Sequence, residues 1–184
     1  YAQPCHNCTK VNLIKRYEIL DFLPPYGDMY ISISDNNESC YSEGFVVRFY
    51  KSDGKSWVAN FKLGGSSLKT VFDFPEHDII IVIANGIGYI MNPENEKPIS
   101  FFGFAINDVL QTENKSLVCA DGISFIIIDN SKGEIWRSER ISWDGFRNLK
   151  YNNNVISGQS YDPTNSIQSW SDFTFNILTK EVTG

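Results

Sequence analysis

Between Asn107 and Trp136, short apolar runs are broken so often by turn residues that extended chain is the only regular structure that fits. Asp108-Val109-Leu110-Gln111 and Leu117-Val118-Cys119-Ala120 precede the break Asp121-Gly122. Ile123-Ser124-Phe125-Ile126-Ile127-Ile128 follows, and Asp129-Asn130-Ser131-Lys132-Gly133-Glu134 leads to Ile135-Trp136. Runs of this length, rich in β-branched residues and bounded by Gly, Asn and Asp, are strands of an antiparallel sheet.

The same cadence runs along the chain. Met29-Tyr30-Ile31-Ser32-Ile33 alternates, and Phe45 to Tyr50 and Ser56 to Phe61 are strands separated by Ser52-Asp53-Gly54. Lys69 to Phe74, Asp78 to Ala84 and Gly88 to Met91 follow, broken by Pro75-Glu76 and Asn85-Gly86. Asn-Gly between apolar runs is a strong hairpin signal, because both turn residues must take positive φ. Later, Val155 to Gly158 and Trp170 to Leu178 read as strands, with a turn at Tyr161-Asp162-Pro163. Near the start, Leu13, Tyr17 and Leu20 share one helical face, but Ile19 and Phe22 blur it and a strand fits nearly as well. No helix longer than two turns is expected after residue 24.

Internal repetition gives these strands an organisation. Ala84-Asn85-Gly86 recurs as Ala120-Asp121-Gly122, 36 residues on. The stretch before Trp57 resembles that before Trp136, 79 residues on, and Thr179-Lys180-Glu181-Val182 echoes Ser131 to Ile135. Four units of roughly 36 to 47 residues would cover residues 28–184, behind an N-terminal extension at 1–27. The expected fold is all-β: about four repeated antiparallel sheets, small and propeller-like, with a β-sandwich as the alternative. In overall pattern the chain resembles the β-propeller repeat class. It has no Trp-Asp dipeptide at a unit end; Trp143-Asp144 stands at a unit start.

Composition narrows the function classes. The chain has 184 residues, enough for one domain, and a net charge of −6. Nucleic-acid binding needs a basic stripe, and none is visible. An anionic membrane surface is disfavoured on the same ground. No apolar run approaches the roughly 20 residues of a membrane helix. A cytoplasmic location is expected; a secreted or periplasmic one, with a leader removed, is the alternative.

Catalytic and cofactor motifs are absent or broken. Ile79 to Gly88 looks like a dinucleotide-fold strand and glycine loop, but Met91 stands at the third glycine position. Gly54-Lys55-Ser56 lacks the upstream glycine of a phosphate loop, since Phe49 is there. Asp35-Asn36-Asn37-Glu38 lacks the glycine and distal Glu of a calcium loop. Cys5-x-x-Cys8 is a candidate redox pair or half of a metal site. Zinc would need two further ligands from His6, His77, Cys40 and Cys119, which form no second close pair. The plainer reading of Cys5 and Cys8 is an open or disulfide-closed turn. No cofactor is expected.

Trp143, Asp144, Tyr161, Asp162 and Trp170 are left as the candidate partner-binding residues. Exposed Trp and Tyr anchor protein interfaces; the competing reading is that these rings fill gaps between sheets. A non-catalytic β-repeat module for a protein partner is the expected function, and the acidic balance suits a basic one. The last unit, from Trp143-Asp144-Gly145-Phe146 to Leu178-Thr179-Lys180-Glu181-Val182, is similar to the ends of bacterial β-rich proteins. Those proteins are uncharacterised; a bacterial toxin-neutralising, immunity-type protein is the specific form of binding module expected. The alternatives are carbohydrate binding through exposed aromatics, or a small hydrolase or lyase using paired carboxylates.

Overall fold

Ile79-Ile80-Ile81-Val82-Ile83-Ala84 is buried at all six positions. A strand with both faces apolar must lie between two layers, and in this protein it does. The computed structural model describes residues 15–36, 38–39, 42–114, 116–129, 133–164 and 169–184. These form sixteen strands in four sheets of four.

The first sheet contains β1 (Tyr17–Leu20), β2 (Ile31–Ile33), β3 (Phe45–Tyr50) and β4 (Ser56–Phe61), in the order β1-β3-β4-β2. The second is a meander of β5 (Lys69–Phe74), β6 (Ile79–Ala84), β7 (Ile87–Met91) and β8 (Ser100–Phe102). The third, also a meander, is β9 (Asp108–Gln111), β10 (Leu117–Ala120), β11 (Phe125–Asp129) and β12 (Glu134–Arg137). The fourth is β13 (Phe146–Asn152), β14 (Val155–Tyr161), β15 (Trp170–Asn176) and β16 (Val182–Thr183). Pairing is antiparallel except between β2 and β4. Among the described residues the one helical turn is the 3-10 turn Pro75–His77.

Residues 17–20, ambiguous in sequence, are a strand. β1 bonds to β3, so the first sheet draws an edge strand from before residue 28.

Three buried clusters stack the sheets in series. Phe49, Trp57 and Phe61 of the first sheet meet Val82, Tyr89 and Met91 of the second. Ile81, Ile83 and Ile90 meet Leu117, Cys119 and Ile126 of the third. Val118, Phe125 and Ile127 meet Ile156, Phe173 and Phe175 of the fourth. Each such side chain contributes about 1.5–3 kcal/mol by leaving water. Among the described residues no buried cluster joins the first sheet to the fourth, and the series is not closed into a ring.

Burial follows from position in the series. β6, β7 and β10 are buried throughout, as inner sheets require. The fourth sheet is covered on one side only, and β15 alternates from Asp172 (exposed) to Phe173 (buried), Thr174 (exposed) and Phe175 (buried). Its outer face has Arg147, Gln159, Asp172, Thr174 and Thr183, as the last layer of a repeat stack should. The outer face of the first sheet is partly roofed by its own loop: Asn60 accepts a hydrogen bond from the Gly44 N–H and donates one to the Ser42 carbonyl.

The two Ala-x-Gly breaks lie at corresponding places but form different turns, a two-residue loop at Asn85-Gly86 with both residues at positive φ and a four-residue loop at 121–124 in which Gly122 alone of the Asp-Gly pair has one. Asn85-Gly86 joins β6 to β7, and Asp121-Gly122 leads from β10 towards β11, each at the middle hairpin of its sheet. The two tryptophans are not equivalent. Trp57 lies on an interior strand, 7% exposed, stacked on Phe49 and donating from its indole N–H to the Pro93 carbonyl. Trp136 lies on the edge strand β12, half-buried, against Phe175 of the next sheet. The parallel strand β2 takes the sheet-edge place beside β4, which moves the Trp57 hairpin one position inward.

Candidate functional site

Every sheet of the stack has two ends where its turns gather. At one end the fourth sheet meets the third through the segment before β13. The buried Ser142 hydroxyl donates to the Gly145 carbonyl at 2.6 Å and accepts from the Tyr161 N–H at 2.9 Å. The Trp143 N–H donates to the Tyr161 carbonyl at 2.8 Å, and the Gly145 N–H to the Gly122 carbonyl at 2.7 Å. Gly145 has a φ of 116°, which suits glycine and permits this tight path. These bonds fix Trp143 to the corner while leaving it 52% exposed.

The corner collects aromatic rings and guanidinium groups. Strand register sets Tyr161 opposite Trp170, with ring centres 5.3 Å apart and planes at 60°. Arg147 lies 4.3 Å from the Trp170 ring centre and Arg140 4.9 Å from that of Trp143. Arg147 also donates to Gln159 at 2.7 Å, and Gln159 donates to Asp172 at 2.8 Å, so the guanidinium is oriented by a cross-strand ladder.

Trp143, Tyr161 and Trp170 are therefore gathered at one corner, with Asp144 exposed on the Trp143 turn. Asp162 adjoins Tyr161, but its carboxylate accepts from the Thr164 hydroxyl at 2.7 Å and the Thr164 N–H at 2.8 Å. Those bonds hold its pKa below the ordinary value and commit it to its own turn. Arg140, Arg147 and Gln159 are additional members of the corner. Finding Arg147 and Gln159 needs the β13–β14 pairing, which local sequence does not announce, whereas Arg140 lies over Trp143 three residues along the same segment.

The opposite end has a groove of about 740 Å³ between the turns of the second, third and fourth sheets. Its apolar floor includes Ile127 and Ile177, buried between sheets, and Trp136, stacked near-parallel on Phe175 with centres 6.0 Å apart. Glu76, His77, Asp129, Glu134 and Lys180 supply the charged and titratable groups of its lining. The Lys180 ammonium lies 4.5 Å from the Trp136 ring centre.

Cys5 and Cys8 lie outside the described residues. Among the described residues no three His, Cys, Asp or Glu side chains are grouped to hold a metal ion. Cys119 is a free thiol with no exposure, and burial pushes its pKa well above the ordinary range. Among the described residues no helix is long and apolar enough to cross a membrane.

No family model matches the chain, and no curated protein matches it. Solved structures do. The computationally designed Ika4 protein is 14% identical with a TM-score of 0.43, over 67% of this chain and 75% of its own. The computationally designed Ika8 protein is 14% identical with a TM-score of 0.43, over 76% of this chain and 45% of its own. The extracellular domain of BT4673 from B. thetaiotaomicron, described as belonging to a one component system, is 10% identical with a TM-score of 0.45, over 84% of this chain. The match spans 25% of that domain's length.

Proposed function

We propose that the protein is a non-catalytic binding module whose aromatic corner docks a protein partner. The supporting observation is the pair of ring–guanidinium stacks, Trp143 with Arg140 and Trp170 with Arg147, held on a hydrogen-bonded sheet corner. Trp, Tyr and Arg are the residue types that most often dominate protein interfaces, and all three meet here. A rigid corner also loses little conformational freedom when it binds.

The geometry gives less support to the alternatives. A flat sugar platform would use open, coplanar rings, whereas Tyr161 and Trp170 stand at 60° and Arg147 lies over Trp170. At the corner, acid–base hydrolysis would have to do without Asp162, whose carboxylate is taken up by Thr164. A toxin-neutralising role is one form that such a module could take. The overall charge of −6 supports a partner with basic character.

The test is partner capture with immobilised wild-type protein and with Trp143→Ala, Asp144→Ala and Tyr161→Ala, each first confirmed as folded. Capture should fall about tenfold or more for Trp143→Ala. Undiminished capture by all three variants would place the binding surface elsewhere.

A further inference from the structure

Each tryptophan of the aromatic corner is already covered by a cation of the chain itself, Trp143 by Arg140 at 4.9 Å and Trp170 by Arg147 at 4.3 Å. Trp170 also has Tyr161 beside it, and a Cβ built on Gly145 would stand 3.8 Å from its ring edge. Aromatic faces attract cations, but at each ring one face is taken, and a second cation brought close would meet the first. The groups that the corner turns to solvent include both guanidiniums, since Arg140 and Arg147 are exposed.

Most of their hydrogen-bonding capacity is unused. Arg147 gives its Nε–H to Gln159 at 2.7 Å, and no other hydrogen bond or ion pair engages its terminal amino groups. Arg140 lies over Trp143 and makes no hydrogen bond or ion pair among the described residues. Nearby carboxylates have other partners: Asp121 pairs with Arg137, Asp162 accepts from Thr164, and Asp172 accepts from Gln159. Glu139 and Asp144 are exposed and form no ion pair with either guanidinium. All 22 Asp and Glu side chains of the sequence belong to described residues, so no undescribed side-chain carboxylate is left to fill the two forks.

A guanidinium steadied over a ring offers a planar fork of N–H donors that matches a carboxylate, and it loses less freedom on binding than a loose side chain. We propose that the corner reads an acidic side chain, Asp or Glu, in an exposed segment of its protein partner, bonded in a fork by Arg147 with Arg140 as the second contact. This rests on the corner being the docking surface and names what it recognises there. A partner that is basic overall also fits, because net charge steers the approach from a distance while the fork reads one carboxylate at bonding range. Trp143 and Tyr161 then surround the pair and keep water from it.

The experiment is titration of the whole chain with a capped Gly-Glu-Gly-Glu-Gly peptide at physiological salt, which screens long-range repulsion. Peptides with Gln or Lys in place of Glu are the controls. Binding is read by NMR from the Arg147 Nε–H and from the Trp143 and Trp170 indole N–H resonances, assigned by single substitution. The Glu peptide should shift the Arg147 resonance and both indoles, and the controls should leave them in place. Arg147→Lys keeps the charge without the fork and should weaken binding of the Glu peptide about tenfold; Arg140→Lys should weaken it about threefold. The proposal is overturned if the Glu peptide leaves the Arg147 Nε–H unmoved, if either control moves it as much, or if Arg147→Lys binds the Glu peptide as tightly as wild type. Partner capture separates this proposal from the reading beneath it. Capture lowered by Trp143→Ala but not by Arg147→Lys would keep the corner as the docking surface and overturn its acidic anchor. Capture lowered by neither would overturn the corner itself, and the anchor with it.

Discussion

Arg147 lies with its guanidinium 4.3 Å from the centre of the Trp170 ring, and Gln159 holds it there through a 2.7 Å hydrogen bond. The stack is a preformed feature of the terminal sheet. Arg147→Lys keeps the charge but loses the planar group that stacks and donates in a fork. Arg147→Lys and Arg147→Ala should each lower stability by about 0.5–1 kcal/mol in urea unfolding and move the Trp170 emission. Full retention of stability and emission by Arg147→Ala would mean that the stack is not populated in solution.

Gly86 and Gly122, at corresponding hairpins of neighbouring sheets, differ in their surroundings, which separates two costs. Both have positive φ, 96° and 88°. A Cβ on Gly122 would meet nothing closer than 3.8 Å, whereas one on Gly86 would stand 2.8 Å from the Ile106 nitrogen and the Phe104 carbonyl oxygen. Gly122→Ala should cost about 1–2 kcal/mol for the backbone conformation alone. Gly86→Ala adds a clash with backbone that cannot turn aside, for a total of about 2–5 kcal/mol. Thermal unfolding of the two variants side by side checks the order; equal losses would contradict it.

Acid should weaken the first sheet through Glu18. Its pKa is lowered from 4.5 to about 2 by the hydrogen bond from Lys15, then by those from Tyr50 and Arg48. A carboxyl with a depressed folded pKa contributes stability above its unfolded value and loses it as pH falls through the folded one. The Glu18 contribution is therefore complete above 4.5 and disappears on the way down to about 2. Asp73 works in the opposite sense: burial raises its pKa against the attraction of Arg16, so its share of stability declines as pH rises through its titration. Urea midpoints measured across acid pH should fall less steeply for Glu18→Gln than for wild type. An unchanged slope would remove Glu18 from the explanation.

Cys119 should be chemically silent in the native state. It has no exposure, and burial first, then the Asp108 and Asp121 carboxylates, raise its pKa. The thiolate is the reactive form, so alkylation should wait for unfolding. Peptide mapping after iodoacetamide treatment, with and without denaturant, should find Cys119 labelled only when denaturant is present. Labelling at native pH within minutes would imply frequent opening of the contact between the second and third sheets.

Much of the stack is legible in residue order because burial has two distinct signatures. Ile79–Ala84 and Leu117–Ala120 are continuously apolar since each lies between two layers. Trp170–Asn176 alternates because one side faces water. β13 is harder to read: Asn148 has a φ of 56° and the register slips between Arg147 and Lys150, so its alternation breaks. β8 is three residues long and follows closely on Pro98. Trp57 and Trp136 share a local motif but not a place in the sheet, since strand order depends on partners far away in sequence. The same limit governs the aromatic corner. Trp143, Tyr161 and Trp170 are visible as aromatics near turns, while Arg147 joins them only through folding.

Calorimetric titration of a purified partner into wild type, Trp143→Ala and Trp170→Ala tests the aromatic corner most directly. Each substitution should weaken binding about thirtyfold, roughly 2 kcal/mol, with little change in the unfolding midpoint of the free protein. Affinities within about twofold of wild type for both folded variants would contradict the assignment of the corner as the binding surface.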